Sequence, residues 1–174
     1  MKKYFAFIIL FLAAAATFAQ TTITSSSVTF KVKNLGIMTD GKFGDVKATI
    51  KFDPSHLDSS NIDAFIDASS VNTDNDTRDD HLKGQKFFDV DKYPQITMKS
   101  TGFQKKGSGF SGKFNLTIKG ITKPVDVPFT YVEANGKADF NGSFKISRRD
   151  FNVGGNSMVL GDEVTVNIKV QTAK

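Results

Sequence analysis

The stretch Thr77–Pro94, TRDDHLKGQKFFDVDKYP, gathers residue types that chemistry uses. Arg78, Asp79, Asp80 and His81 stand in direct succession, and Phe87 and Phe88 follow them. An imidazole among carboxylates is the raw material of acid–base or metal chemistry, whereas paired aromatic rings suit the entrance to an apolar cavity. Zinc needs three or four ligands of suitable spacing, and the chain has two histidines, His56 and His81, and no cysteine. His56 lies in DPSHLD, which reads as a turn. A calcium loop over DNDTRD fails, because Arg78 holds its fifth position and no glycine holds its sixth.

Nucleophilic and hydrolytic chemistry find no better footing. No serine sits in a G-x-S-x-G elbow, and none pairs in chain order with His81 and a carboxylate. Asp79 and Asp80 are adjacent, so on a helix they point to different sides, unlike two carboxylates flanking a scissile bond. No glycine-rich phosphate loop follows a strand and opens a helix. The plain reading of Arg78, Asp79 and His81 is a hydrogen-bonded network that pins a short helix. Asp76 or Thr77 would cap that helix and Gly84 would stop it, with Arg78 and Leu82 on one side.

The elements that must position this segment are strands. Val28, Phe30 and Val32 alternate with polar neighbours, as do Ala48, Ile50 and Phe52, then Ile62, Ala64 and Ile66, then Ile96 and Met98. The pattern continues through Phe110–Ile118, Val125–Tyr131, Phe140–Ile146 and Val164–Val170. Period-two alternation means strands with one buried and one wet face. Eight such strands are expected, separated by the turn signals TDGKFG, KKGSG, EANGK and FNVGGN. The short helix falls in the long connection between the third and fourth of them. Without crossover helices the strands are antiparallel, closed as a barrel or packed as a sandwich. Ala48, Ala64, Gly112, Ala138 and Gly142 lie among large apolar residues on the inward face. They either leave space for a ligand or relieve strand curvature.

Composition bounds the rest. Of 174 residues, the first 19 read as a signal peptide: Lys2 and Lys3, an apolar run from Tyr4 to Ala16, then Thr17 and Ala19 before a cut at Gln20. The apolar run is too short for a membrane span, and no later stretch approaches that length, so a soluble exported product is expected. Residues 20–174 then form one domain, with no second domain, repeat or low-complexity tract. The absence of cysteine excludes disulfides, thiolate catalysis and lipid attachment through an N-terminal cysteine. Removing Lys2 and Lys3 takes the formal charge from +5 to +3, and the remaining lysines are scattered among aspartates, which argues against a nucleic-acid partner.

ASSVNTDNDTRDDHLKGQKFFDVDKYPQITMKST resembles the signature region of the YceI-like family of exported lipid- and polyisoprenoid-binding proteins. The likeness extends through SSVTFKVKNLGIMTDGKFGDVKATIKFD, GKFNLTIKGITKPVDVPFTY, SFKISRRDFNV and GDEVTVNIKVQ, almost the whole of the mature chain. Two departures are Asn152, where a glycine is expected, and Gly84, where the family often has serine. The resemblance implies an all-β, extended, lipocalin-like antiparallel β-barrel around a hydrophobic tunnel. It also implies a periplasmic (or extracellular), non-catalytic protein without a cofactor. Its partner would be a long-chain apolar small molecule: an isoprenoid quinone, polyprenyl compound or fatty amphiphile, held by its tail. A homodimer is left open.

On that basis Phe30, Phe43, Ile50, Phe114, Phe129, Phe140, Phe144 and Val166 are candidates to line the interior. Arg78, Asp79, His81, Phe87 and Phe88 are candidates for the mouth, where the polar three either fix the loop or face the ligand head. Two rival readings stand beside this one: an enzyme acting on such a lipid with His81 as general base, and a solid-core structural or stress-associated protein.

Overall fold

Alternating side chains produce nine antiparallel strands here, in a computed structural model that describes residues 21–173. The proposed leader, residues 1–19, lies outside the described residues. The strands are β1 (Thr22–Asn34), β2 (Ile37–Phe43), β3 (Lys47–Lys51), β4 (Asn61–Asp67), β5 (Gln95–Lys106), β6 (Gly109–Ile118), β7 (Ile121–Ala134), β8 (Lys137–Ser147) and β9 (Leu160–Ala173). One helix, α1 (Asp76–Lys83), sits between β4 and β5. The sheet order is β2-β1-β9-β8-β7-β6-β5-β4-β3, so the chain meanders from β3 to β9 and β1 then pairs with β9.

The strand that the alternation did not reveal is β2, whose TDGKF reads as a turn. Its inward positions are Thr39, Gly41 and Phe43, too mixed to register as an apolar face. Gly41 stands directly opposite Phe30, and the Phe30 ring covers it so closely that a Cβ there would lie 2.2 Å from the ring. The aromatic ring supplies the packing that glycine lacks, which keeps a turn residue in a strand.

Turn chemistry sets the hairpins. Leu35-Gly36, Lys119-Gly120 and Asn135-Gly136 are two-residue connections in which both residues have positive φ. That is the geometry whose twist matches the flanking strands. In β5 a bulge between Ser100 and Gly102 switches the inward parity from Met98 to Phe103.

Closure uses one stretch of chain that changes partners. β2 pairs with the Val28–Asn34 half of β1, and after Gly44–Val46 the chain continues as β3 and pairs with β4. The free edge of β2 is met by the segment after β4, through reciprocal Lys42–Asn72 backbone hydrogen bonds of 2.8 and 2.9 Å and a Gly44 N–H to Ser70 Oγ bond of 2.9 Å. On the other side, Val46 N–H donates to Ser26 Oγ of β1 at 3.0 Å. The sheet thus curls around an apolar interior whose buried residues include Val28, Ile66, Ile96, Phe114, Leu116, Val127 and Phe144.

The β1–β2 hairpin, the β4–β5 connection, the β6–β7 turn and the β8–β9 connection gather at one end, called here the helix end. Lys119 Nζ ties three of these pieces by donating to the carbonyls of Gln85 at 2.6 Å and Asn152 at 3.1 Å. Asn152 has φ 53° and ψ 35° where glycine was expected. Asparagine is among the few residues that occupy this left-handed region readily, so the turn is kept.

Candidate functional site

The inward faces of all nine strands surround a cavity of about 450 Å³. All eight residues expected to line the interior stand on its wall: Phe30 from β1, Phe43 from β2, Ile50 from β3, Phe114 from β6, Phe129 from β7, Phe140 and Phe144 from β8, and Val166 from β9. Val164, Val166 and Ile168 point inward yet are only half-buried, because their free surface faces this space. The size lies in the range that holds small ligands.

The small residues divide by role. Ala48 and Ala64 are direct cross-strand partners and both face the cavity, as does Gly142. Gly112 is different: a Cβ there would lie 2.4 Å from the Phe114 ring and 3.0 Å from Phe103, so it makes room for packed rings. Ala138 is buried outside the wall.

The cavity ends where aromatic rings pack. Phe52 is the hub, with ring centroids at 5.4 Å to Phe103, 5.2 Å to Phe110, 5.5 Å to Phe129, 5.0 Å to Tyr131 and 5.7 Å to Phe140. Phe129 and Phe140 face the cavity and form its floor. The implied tunnel is therefore a one-ended pocket among the described residues. Burial, a 2.6 Å hydrogen bond to Glu133 and the charges of Glu133 and Asp53 push the Tyr131 phenol well above its ordinary value. Phe52, Phe103, Phe110 and Tyr131 escaped the list of site candidates because alternation gives a residue's face but not its height along the barrel.

The mouth lies at the helix end. Asn75, one residue before the expected cap, accepts from Arg78 N–H at 2.9 Å, and Gly84 ends the helix as expected. Arg78 Nε donates to Thr73 Oγ1 and Nη2 to the Thr73 carbonyl, each at 2.7 Å. Thr73 in turn donates from its amide and hydroxyl to Asp79 Oδ1 at 2.9 and 2.5 Å. Asp79 is buried in this network and is not on the cavity wall; it fixes the loop. Arg78, His81, Phe87 and Phe88 are on the wall, with Phe88 edge-on to Phe43 at 5.5 Å. Lys86 is there too, and nothing in the sequence distinguishes it from any solvated lysine.

Arg148 forms a second fixed point. It is 4% exposed and donates to the carbonyls of Gly161, Val153, Gly155 and Leu160 and to Asp162 Oδ1, at 2.7–3.0 Å. That uses one hydrogen bond for each of its five N–H groups and holds the β8–β9 connection against the rim. Among the described residues, no three His, Cys, Asp or Glu side chains converge as a metal site. No helix among them is long and apolar enough to cross a membrane. The arrangement can bury an apolar chain and place a polar group at the helix end.

A model of the YceI-like domain matches residues 20–172. A UPF0312 protein of Yersinia pestis (strain Pestoides F) is 33% identical over 133 residues, covering 72% of this chain and 69% of that protein. The crystal structure of Burkholderia cenocepacia BcnA superposes with a TM-score of 0.79 at 29% identity, covering 84% of this chain and 95% of that one. A polyisoprenoid binding domain from Saccharophagus degradans, implicated in plant cell wall breakdown, has a TM-score of 0.70 at 15% identity, with coverage of 88% and 97%; at that identity the likeness is one of fold.

Proposed function

The chain belongs to the YceI-like family, and from that membership and its cavity we propose that it is a non-catalytic binding protein for a long-chain apolar ligand. The tail of an isoprenoid quinone, polyprenyl compound or fatty amphiphile would lie along the inner faces, with its head at the helix end. The observation that carries this is the one-ended apolar cavity of about 450 Å³. Each CH₂ taken from water contributes roughly 0.8 kcal/mol, so a long tail gains ample driving force even after several kcal/mol of ordering cost. The structural likeness to a polyisoprenoid binding domain shows that the same fold houses such a ligand in another protein.

One further part of the reading rests on the sequence. A leader over residues 1–19 would export the protein to the periplasm, where a carrier for lipids has a use. The His81 imidazole has no hydrogen-bond partner among the described residues, so no side chain there orients it as a general base, and the binding reading is preferred to the enzymatic one. The open interior likewise favours binding over a solid-core structural role.

Organic extraction of the purified protein followed by mass spectrometry tests the proposal. A stoichiometric long-chain lipid, or uptake of quinone or polyprenol by the extracted protein, is the expected result. Recovery of no lipid together with no uptake would sink it.

A further inference from the structure

We propose that the mouth selects amphiphiles with an anionic head, a phosphate or carboxylate, over neutral heads on the same tail. This rests on the binding reading above and adds the head group to it. Among the described residues, the charged and titratable side chains on the cavity wall are Arg78, His81, Lys86 and Arg148, and no aspartate or glutamate stands there.

These four are not equivalent. Arg148 has one acceptor for each of its N–H groups and is spent on the rim itself. Arg78 commits Nε and Nη2 to Thr73, which fixes the guanidinium plane and leaves Nη1 without a partner among the described residues. Lys86 is exposed and its ammonium has no partner among the described residues, while its backbone carbonyl is held by Gly154 N–H at 2.8 Å. His81, three residues after Arg78, falls on the same side of α1.

Three of the nearby carboxylates are already engaged. Asp79 is turned away behind Thr73 and offsets part of the Arg78 charge; Asp80 pairs with Lys83 at 3.5 Å; Asp162 pairs with Arg148 and Arg149. With Lys86 counted, the wall remains positive.

The consequence is an asymmetry between ligands. A neutral head that covers Arg78 takes its free donors from water and returns little, whereas an anion accepts from them with charge-assisted hydrogen bonds. A guanidinium held by two anchoring bonds loses little freedom when it binds, so the gain is not consumed by ordering.

The test uses lipid-stripped protein and two matched pairs of probes: palmitic acid with palmityl alcohol, and geranylgeranyl phosphate with geranylgeraniol. Affinities are measured by displacement of a neutral fluorescent lipid. At low salt the anionic member of at least one pair should bind about tenfold tighter. A preference in the first pair identifies carboxylate heads, and in the second phosphate heads. The ratio should shrink at about 1 M salt, where the screening length is ~3 Å.

It should shrink also in Arg78→Gln and in Lys86→Gln. The second variant removes no hydrogen bond within the protein, so its fold is not at risk. Equal binding within both pairs, or a ratio that survives both substitutions, overturns the head-group proposal and leaves the binding reading standing. Failure of every probe to bind overturns both.

Discussion

Replacing Ala64 by phenylalanine turns the emptiness of the barrel into a sign. Ala64 lies on β4 with its side chain inward, opposite Ala48 on one side and Met98 on the other. In a filled core an added ring forces neighbours off their rotamers and costs about 1–3 kcal/mol. Here the ring enters open space beside another alanine and buries apolar surface, which at about 25 cal/mol per Å² is worth roughly 1.5–3 kcal/mol before ordering costs. The lipid-stripped variant should therefore be more stable than the parent by about 1 kcal/mol, which for a domain of this size raises Tm by roughly 2–4 °C. The same ring occupies ligand volume, so uptake of a long-chain probe should fall by at least about tenfold. Urea and thermal unfolding give the first quantity, and probe titration the second. A loss of ~2 kcal/mol or more with unchanged uptake would refute the reasoning, since it would mean that the interior is packed and ligand binds elsewhere.

Two further substitutions probe the ends of the barrel. Arg148→Lys keeps the charge but supplies three donors in place of five, so some of the carbonyls of Val153, Gly155, Leu160 and Gly161 lose their partner. A stability loss of about 2–3 kcal/mol in urea is expected, and a loss below ~1 kcal/mol would contradict the account of the rim. At the other end, the Tyr131 phenol is held protonated above its ordinary range, so the unfolded chain releases this proton first and stability drains away as pH rises above about 10. Tyr131→Phe should lessen that alkaline decline in unfolding measurements across the same pH range; an identical decline in the two proteins would count against the burial described.

Much of the fold was legible because period-two alternation is a direct record of which face is buried. All eight strands expected from alternation are present, and so is the helix ended by Gly84. β2 was missed because its packing is borrowed: Gly41 is a strand residue only because Phe30, eleven positions earlier, covers it. The mouth was half legible. The RDDH cluster announced something polar, yet which of its members face the cavity depends on Thr73, whose hydroxyl holds Asp79 off the wall and leaves Arg78 on it. In the aromatic cluster beneath the floor, Phe103 was illegible for another reason. The Ser100–Gly102 bulge changes which side of β5 is inward, and a strict alternation cannot anticipate Phe103.

The partner change at Gly44–Val46 has a mechanical meaning. Eight of the junctions around the barrel are ladders, in which parting two strands breaks a row of backbone hydrogen bonds at once. The ninth is stitched by the Lys42–Asn72 pair, by Ser70 to Gly44 and by Ser26 to Val46, two of these contacts made by serine hydroxyls. At a net ~1 kcal/mol for each such bond, this line is the cheapest place for the wall to yield. Girth is thus set by a clasp rather than by strand number alone, and it is the clasp that a bulkier occupant would strain first.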